Sequence, residues 1–283
     1  MKESVWTWTI TWSLKMLANE LVWVRGAGEL GSGVAHLLHR VGLHVFMSDL
    51  APPLAIRRPV TFSCALVDGS TVVEGVEAKK TQSQKLNPSK PWKHIPLFED
   101  NPEKLLKFRP TVLIDARMLK KYKEDFRPWA DLVIGLGPGF EVGKNCHLAI
   151  ETMRGHNLGR IISKGAPLAD SGIPGNIGGE TTRRLIRATR TGQMKWATQF
   201  GELVSKGQQL ALINNDKPVF APLDGMVRGM ISEHTPVVKG MKIGDIDPRG
   251  ESVEYKQISE KARTIAAGVF EAIVLHHNEI SND

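Results

Sequence analysis

Residues 21–33, LVWVRGAGELGSG, decide how this chain reads. The apolar run 21–24 predicts a strand of a parallel sheet, buried on both faces. It runs into Arg25 and the loop 26–31, which fits G-x-G-x-x-G with Gly26, Gly28 and Gly31. Leu30, Val34, Leu38 and Val41 then fall on one face of a helix. Strand, glycine loop, helix is the setting in which so short a motif carries weight. There Gly26 permits the tight turn, Gly28 lets a pyrophosphate approach the backbone, and Gly31 lets helix and strand pack closely. The free N–H groups and positive dipole end of the helix would hold the phosphates. A second apolar run, 43–47, ends in Ser48-Asp49. It sets a carboxylate at the tip of the next strand, about 20 residues past the loop, where a ribose hydroxyl pair is held. The alternative is a glycine-rich turn that binds nothing.

Further along, Pro52 and Pro53 stop any helix. Arg57 and Arg58 then either reach a phosphate or lie on the surface as ordinary exposed charge. A glycine-broken strand is expected over 72–78, a loop over 79–94, and short helices over 102–108 and 119–126. Runs 112–114 and 132–134 predict two more buried strands, ending at Asp115, Arg117 and the glycine loop 135–139. Ligands of an open parallel sheet sit beyond the carboxyl ends of its strands. Asp49, Asp115, Arg117, Gly137 and Gly139 therefore fall on one expected edge.

The C-terminal half reads differently. Residues 146–163 alternate as a hairpin turning at 155–157. His147 and Glu151 then share a face but lie ~13 Å apart, too far for one metal ion, so no metal site is expected. A second glycine-rich loop, 172–179, precedes an expected helix over 180–189. It either cradles an anion through backbone N–H groups or merely connects. Residues 202–213, ELVSKGQQLALI, recur at a constant offset as 235–246, TPVVKGMKIGDI, pairing Val204 with Val237 and Gly207 with Gly240. Two such halves suggest a small β-sandwich with internal two-fold symmetry. The pattern resembles the biotinyl/lipoyl carrier domains, but the turn lysine, Lys217, precedes Pro218, so no attached cofactor is expected. An amphipathic helix is expected over 258–275.

A chain of 283 residues suggests two domains, or one plus a smaller module. The expected fold is α/β: an extension over 1–20, a Rossmann-like parallel sheet domain over 21–145, a β-rich domain over 146–250 carrying a barrel-sandwich (biotinyl/lipoyl-like) module, and a C-terminal helix and tail over 251–283. Cys64 and Cys146 form neither a disulfide framework nor a zinc pattern, so a reducing cytoplasm is expected. The net charge of +7 is scattered in short clusters such as Arg183-Arg184, with no long basic tract, so nucleic acid is not an expected partner. No run reaches the ~18 apolar residues of a membrane helix, so no membrane partner is expected either. Lys15 interrupts the apolar opening and no small-residue cleavage site follows. That points to an extension, or to an upstream start with Met16 near the true beginning, rather than a signal peptide.

Five stretches together carry a resemblance: VRGAGELGSGVAHLLHRVGLHVFMSDLAPPLAIRR, VIGLGPGFEVGKN, HLAIETMRGHNLGRII, SGIPGNIGGETTRR and FAPLDGMVRGMI with VVKGMKIGDIDPRG. They are similar to the selenium-dependent molybdenum hydroxylase system proteins, the YqeB-type accessory family, over most of residues 21–275. The resemblance implies an accessory or maturation factor for molybdenum hydroxylases, with an apo-hydroxylase as partner. The implied ligand is molybdenum cofactor or its dinucleotide form, whose pyrophosphate suits the glycine loop. Gly26, Gly28, Gly31, Asp49, Arg57, Arg58, Asp115, Arg117, Gly137 and Gly139 are the expected binding residues. No catalytic residue is assigned. An NAD(P)-dependent oxidoreductase would use the same loop and Asp49, although no Tyr-x-x-x-Lys pair appears. A non-catalytic adaptor that docks the client enzyme is the third possibility.

Overall fold

The structure, a computed structural model, describes residues 20–82, 86–87, 92–122 and 124–280. The expected extension over 1–20 lies outside the described residues except for Glu20, as does part of the expected loop over 79–94.

Among the described residues, nine strands form one large sheet. They are β1 (Leu21–Arg25), β2 (His44–Asp49), β3 (Ser70–Val73), β4 (Val76–Lys80), β5 (Ile95–Glu99), β6 (Val112–Asp115), β7 (Leu132–Leu136), β8 (Leu148–Ile150) and β9 (Ile161–Ile162). Their order is β3-β4-β5-β2-β1-β6-β7-β8-β9. The strands from β4 through β8 are parallel, and a hairpin closes each edge: β3 pairs antiparallel with β4, and β9 with β8. The first hairpin turns at Glu74-Gly75, both at positive φ, which is why the run over 72–78 breaks there.

Every residue of β1 is buried, and alternate side chains enter different cores. Val22 and Val24 join Val45, Met47, Val112 and Ile114 beneath two helices, α1 (Glu29–Arg40) and α2 (Glu260–Ile280). Leu21 and Trp23 join Phe46, Phe98, Phe126 and Phe140 on the other face. There Trp23 stacks between Phe46 and Trp129, with ring centroids 5.9 and 6.0 Å away. Aromatic loops and short helical turns cover this face, among them Pro102–Leu105 and Leu106–Phe108.

The expected Rossmann-like domain followed by a barrel-sandwich module is therefore incorrect. The sheet is mixed, α1 is the one long crossover helix between its described strands, and the helix beside α1 comes from the C-terminus. Among the described residues, the expected helix over 119–126 is absent, and a short 3-10 turn follows at Arg127–Trp129. The expected helix over 180–189 is replaced by a strand, β10 (Leu185–Arg187). Local spacing could not exclude the change at 185–187, because a short run fits helix and strand alike, and its pairing with the strand Lys242–Asp247 decides it.

The remaining strands are β11 (Met194–Trp196), β12 (Leu203–Val204), β13 (Gln209–Ile213), β14 (Lys217–Phe220), β15 (Gly225–Met230) and β16 (Lys242–Asp247). They form two antiparallel sheets, β10-β16-β15-β12 and β11-β13-β14, that enclose one core. The repeat is visible in this β-module. Val204 and Val237 are buried, Gly207 and Gly240 have φ of 84° and 85°, and Leu210 and Ile243 are wholly enclosed. β10 pairs with β16, so the second half of the repeat gains a strand from outside it.

Candidate functional site

The parallel strands end on one edge, and a cleft of about 1160 Å³ lies between that edge and the β-module. One wall carries Gly26, Gly28, Asp49, Asp100 and Arg117, from the ends of β1, β2, β5 and β6. The facing wall carries Arg184, Arg228, Lys242 and Asp245. Arg57 joins the two.

The glycine loop is held by backbone bonds on both sides. The Gly26 N–H donates to the Ser48 carbonyl at 2.7 Å, and the Ala116 N–H donates to the Arg25 carbonyl at 2.7 Å. The three motif glycines have different reasons. Gly26 has φ of +101°, and a Cβ there would meet the backbone of Ala116 and Arg117 at 2.8 Å. At Gly31 a Cβ would stand 1.9 Å from the Gly26 carbonyl oxygen. These two are required by the chain's own packing. Gly28 is not: its φ of −70° suits any residue, and a Cβ would meet nothing within 4 Å among the described residues. Gly28 is the N-cap of α1 without a side-chain cap, so first-turn N–H groups face the cleft without a side-chain acceptor.

Asp49 reaches the cleft, but its carboxylate already accepts from the Ala27 N–H at 2.8 Å and the Leu50 N–H at 2.7 Å. Burial raises its pKa above the ordinary aspartate value; the two N–H donors oppose this, and nearby Asp100 adds to it. Asp100 clasps the Arg25 guanidinium at 3.0 and 2.9 Å and accepts from Ser48 Oγ at 2.7 Å, which in turn accepts from Trp23 Nε1 at 2.9 Å. This chain ties the tips of β1 and β2 to the residue that follows β5.

Other expected site residues divide. Arg57 and Arg117 line the cleft. Asp115 is fully buried and positions Arg117, accepting from its Nη2 at 2.6 Å. Arg58 lies apart from the cleft, with its guanidinium 5.9 Å from the Phe200 ring. Gly137 and Gly139 serve a turn: both have positive φ, and a Cβ would meet Thr152 at 2.5 Å or Tyr122 at 2.8 Å. Glu151 is buried and engaged by the Met153 and Leu168 N–H groups.

Several lining residues had no signal in the sequence. Arg184 belonged to an ordinary basic pair, but the fold buries it against Asp245 and leaves Arg183 exposed beside Glu180. Arg228 and Lys242 fell in stretches read only for the resemblance and the repeat, and Lys261 in the expected C-terminal helix; none of the three was singled out as a site residue. The second glycine-rich loop does wall the cleft, through Ile173, Pro174, Gly175 and Asn176. Gly175 offers a carbonyl to Arg184 Nη2 at 3.3 Å. Desolvation lowers the pKa of Lys261, with Arg154 adding and Glu29 opposing. Among the described residues, no group of three or more His, Cys, Asp or Glu could hold a metal ion.

No family model matches this chain. It is 42% identical over 259 residues to YqeB of Escherichia coli (strain K12), covering 91% of this chain and 48% of that protein. The chain thus spans about half the length of the curated relative it matches. Two solved structures are distantly similar. A succinylglutamate desuccinylase/aspartoacylase from Rhodobacter sphaeroides has 14% identity and a TM-score of 0.26, covering 81% of this chain and 85% of that one. A succinylglutamate desuccinylase from Silicibacter has 11% identity and a TM-score of 0.24, covering 81% and 84%. Likenesses this slight carry no inference about the chemistry of this chain. Among the described residues, no helix is long and apolar enough to cross a membrane.

Proposed function

We propose that the cleft binds a nucleotide joined through a pyrophosphate, and that this ligand is molybdenum cofactor in its dinucleotide form. The protein would then act as an accessory factor that helps modify the cofactor or insert it into an apo molybdenum hydroxylase. Gly28 carries this reading. It is the one motif glycine that the chain's own packing does not require, and it leaves open space at a helix N-terminus. A serine, aspartate or asparagine would cap α1 better by a few tenths of a kcal/mol. A ligand that must approach the backbone is a physical reason to forgo that cap.

The residues present fit the ligand in kind. First-turn N–H groups of α1 would meet the phosphates, Arg117 would reach them from the end of β6, and Asp49 keeps lone pairs for a hydroxyl. Exposed apolar side chains stand around the mouth: Leu50, Leu54, Leu119, Met153, Leu168 and Ile173. A pterin or base, flat and largely apolar on its faces, suits such a rim.

The test is mass spectrometry of small molecules released from natively purified protein, with pterin fluorescence of the same extract. The expected result is a pterin dinucleotide from wild type and none from Gly28→Asp. An aspartate there caps α1 and sets a negative charge where the phosphate would lie, so the variant should fold at least as stably while losing the ligand. Equal release from both proteins would overturn the reading. Release of NAD(P), or tight NADH or NADPH binding without pterin, would move it to nicotinamide chemistry.

A further inference from the structure

We infer that the wall facing the glycine loop is a second, separate oxyanion site, built from Arg57, Arg184 and Arg228 and shaped for a phosphoryl group. The inference goes beyond the proposed function and does not depend on what Gly28 binds.

The three guanidiniums come from three distant segments and are 6%, 6% and 8% exposed. All three line the cleft, and in each the Nε–H has no hydrogen-bond partner among the described residues. A buried charged donor without an acceptor is unfavourable, and native structures seldom keep one without a reason. Arg25 also has an unpaired nitrogen, Nη1, but its guanidinium lies 5.2 Å from the Trp129 ring, whose face receives the charge. Among the described residues, no such aromatic contact attends the other three.

Their carboxylate partners compensate them incompletely. Arg57 is 3.7 Å from Glu29, too far for a hydrogen bond. Arg228 is 3.4 Å from Asp247, whose oxygens are already clasped by Arg249 at 2.9 and 2.8 Å. Among the described residues, only Arg184 has a close partner, Asp245. Lys242 adds a further cation to this wall, with its pKa lowered chiefly by desolvation.

The backbone holds the arginines rigidly. Arg184 and Arg228 belong to, or immediately precede, paired strands of the β-module. Arg57 ends a loop pinned to that module, where the Met230 N–H donates to the Ile56 carbonyl at 2.8 Å and Thr235 Oγ1 donates to the Pro53 carbonyl at 2.9 Å. A planar carboxylate is satisfied by one bidentate guanidinium. Three guanidiniums from separate segments suit the tetrahedral oxygens of a phosphoryl group better. That group belongs either to the far end of the same nucleotide or to a second phosphorylated molecule.

The probe is inorganic phosphate, titrated by calorimetry into the full chain and three variants. Gly28→Asp should keep its phosphate site, with affinity within about twofold of wild type. Arg228→Met and Arg57→Met should each weaken it at least about tenfold, the loss expected for a hydrogen bond to a charged group. Neither variant strands a closely paired buried carboxylate, since Asp247 keeps Arg249 and Glu29 is part exposed. Melting curves confirm that each variant folds. Repeating the titration on wild type loaded with the released nucleotide separates the two sources: blocked phosphate binding assigns the group to that nucleotide, and retained binding to a second molecule. Absence of phosphate binding in wild type, binding indifferent to both arginine changes, or binding abolished by Gly28→Asp alone would each overturn the inference. No pterin from wild type, or equal release from wild type and Gly28→Asp, with an intact arginine-dependent phosphate site would overturn only the proposed function.

Discussion

At the scale of single residues, the glycine motif contains two structural glycines and one that is free. Gly26 and Gly31 touch backbone across the turn, whereas Gly28 opens on the cleft. A sequence pattern treats all three alike, because it records the missing Cβ and not what stands in its place. Asp49 separates charge from hydrogen bonding in a measurable way. Burial raises its pKa above that of an unfolded aspartate, so the folded chain takes up this proton more readily than the unfolded one. Stability attributable to Asp49 is therefore lost as pH rises from the unfolded value, about 4, through the higher folded one. Chemical denaturation of wild type and Asp49→Asn between about pH 4 and 7 should show the wild type losing ground to the variant with rising pH. Parallel stability profiles would show that the carboxyl is not raised.

At the scale of elements, the α1–α2 crossing sets the angle at which the α1 N-terminus meets the cleft. Gly33 makes the crossing close: a Cβ there would come within 2.9 Å of the Ala262 Cβ. Gly159 and Gly268 make a second close approach, in which a Cβ at Gly268 would sit 2.0 Å from the Gly159 carbonyl oxygen. Gly33→Leu should cost about 3 kcal/mol or more through overpacking, read as a lower denaturation midpoint. It should also weaken ligand binding at Gly28, although it touches no cleft residue, because the helix must tilt to admit the side chain. Unchanged stability would mean that the crossing adapts without strain.

At the scale of the whole molecule, the cleft exists because the large sheet and the β-module meet along the loop that follows β2. Thr235 Oγ1 to Pro53 is one of the bonds that fasten this loop. Thr235→Val keeps the shape but leaves the buried Pro53 carbonyl without that donor. It should cost about 1–2 kcal/mol in stability. Phosphate affinity at Arg57 should fall with it, and calorimetry on the variant checks both effects. Retained phosphate affinity in a destabilised variant would show that the loop is positioned by other contacts.

The sequence by itself determined the strands and the turn that bear Gly26, Gly28 and Asp49, the hairpin over 146–163 and the internal repeat of the β-module. These rest on local periodicity and on backbone conformations that glycine alone adopts readily. Only the tertiary structure decided the mixed sheet, the strand at Leu185–Arg187 in place of a helix, and the gathering of Arg57, Arg184 and Arg228. The reason is physical. Which edge a strand joins, and which charges become buried together, depend on contacts between residues far apart in the chain, and no local pattern encodes them.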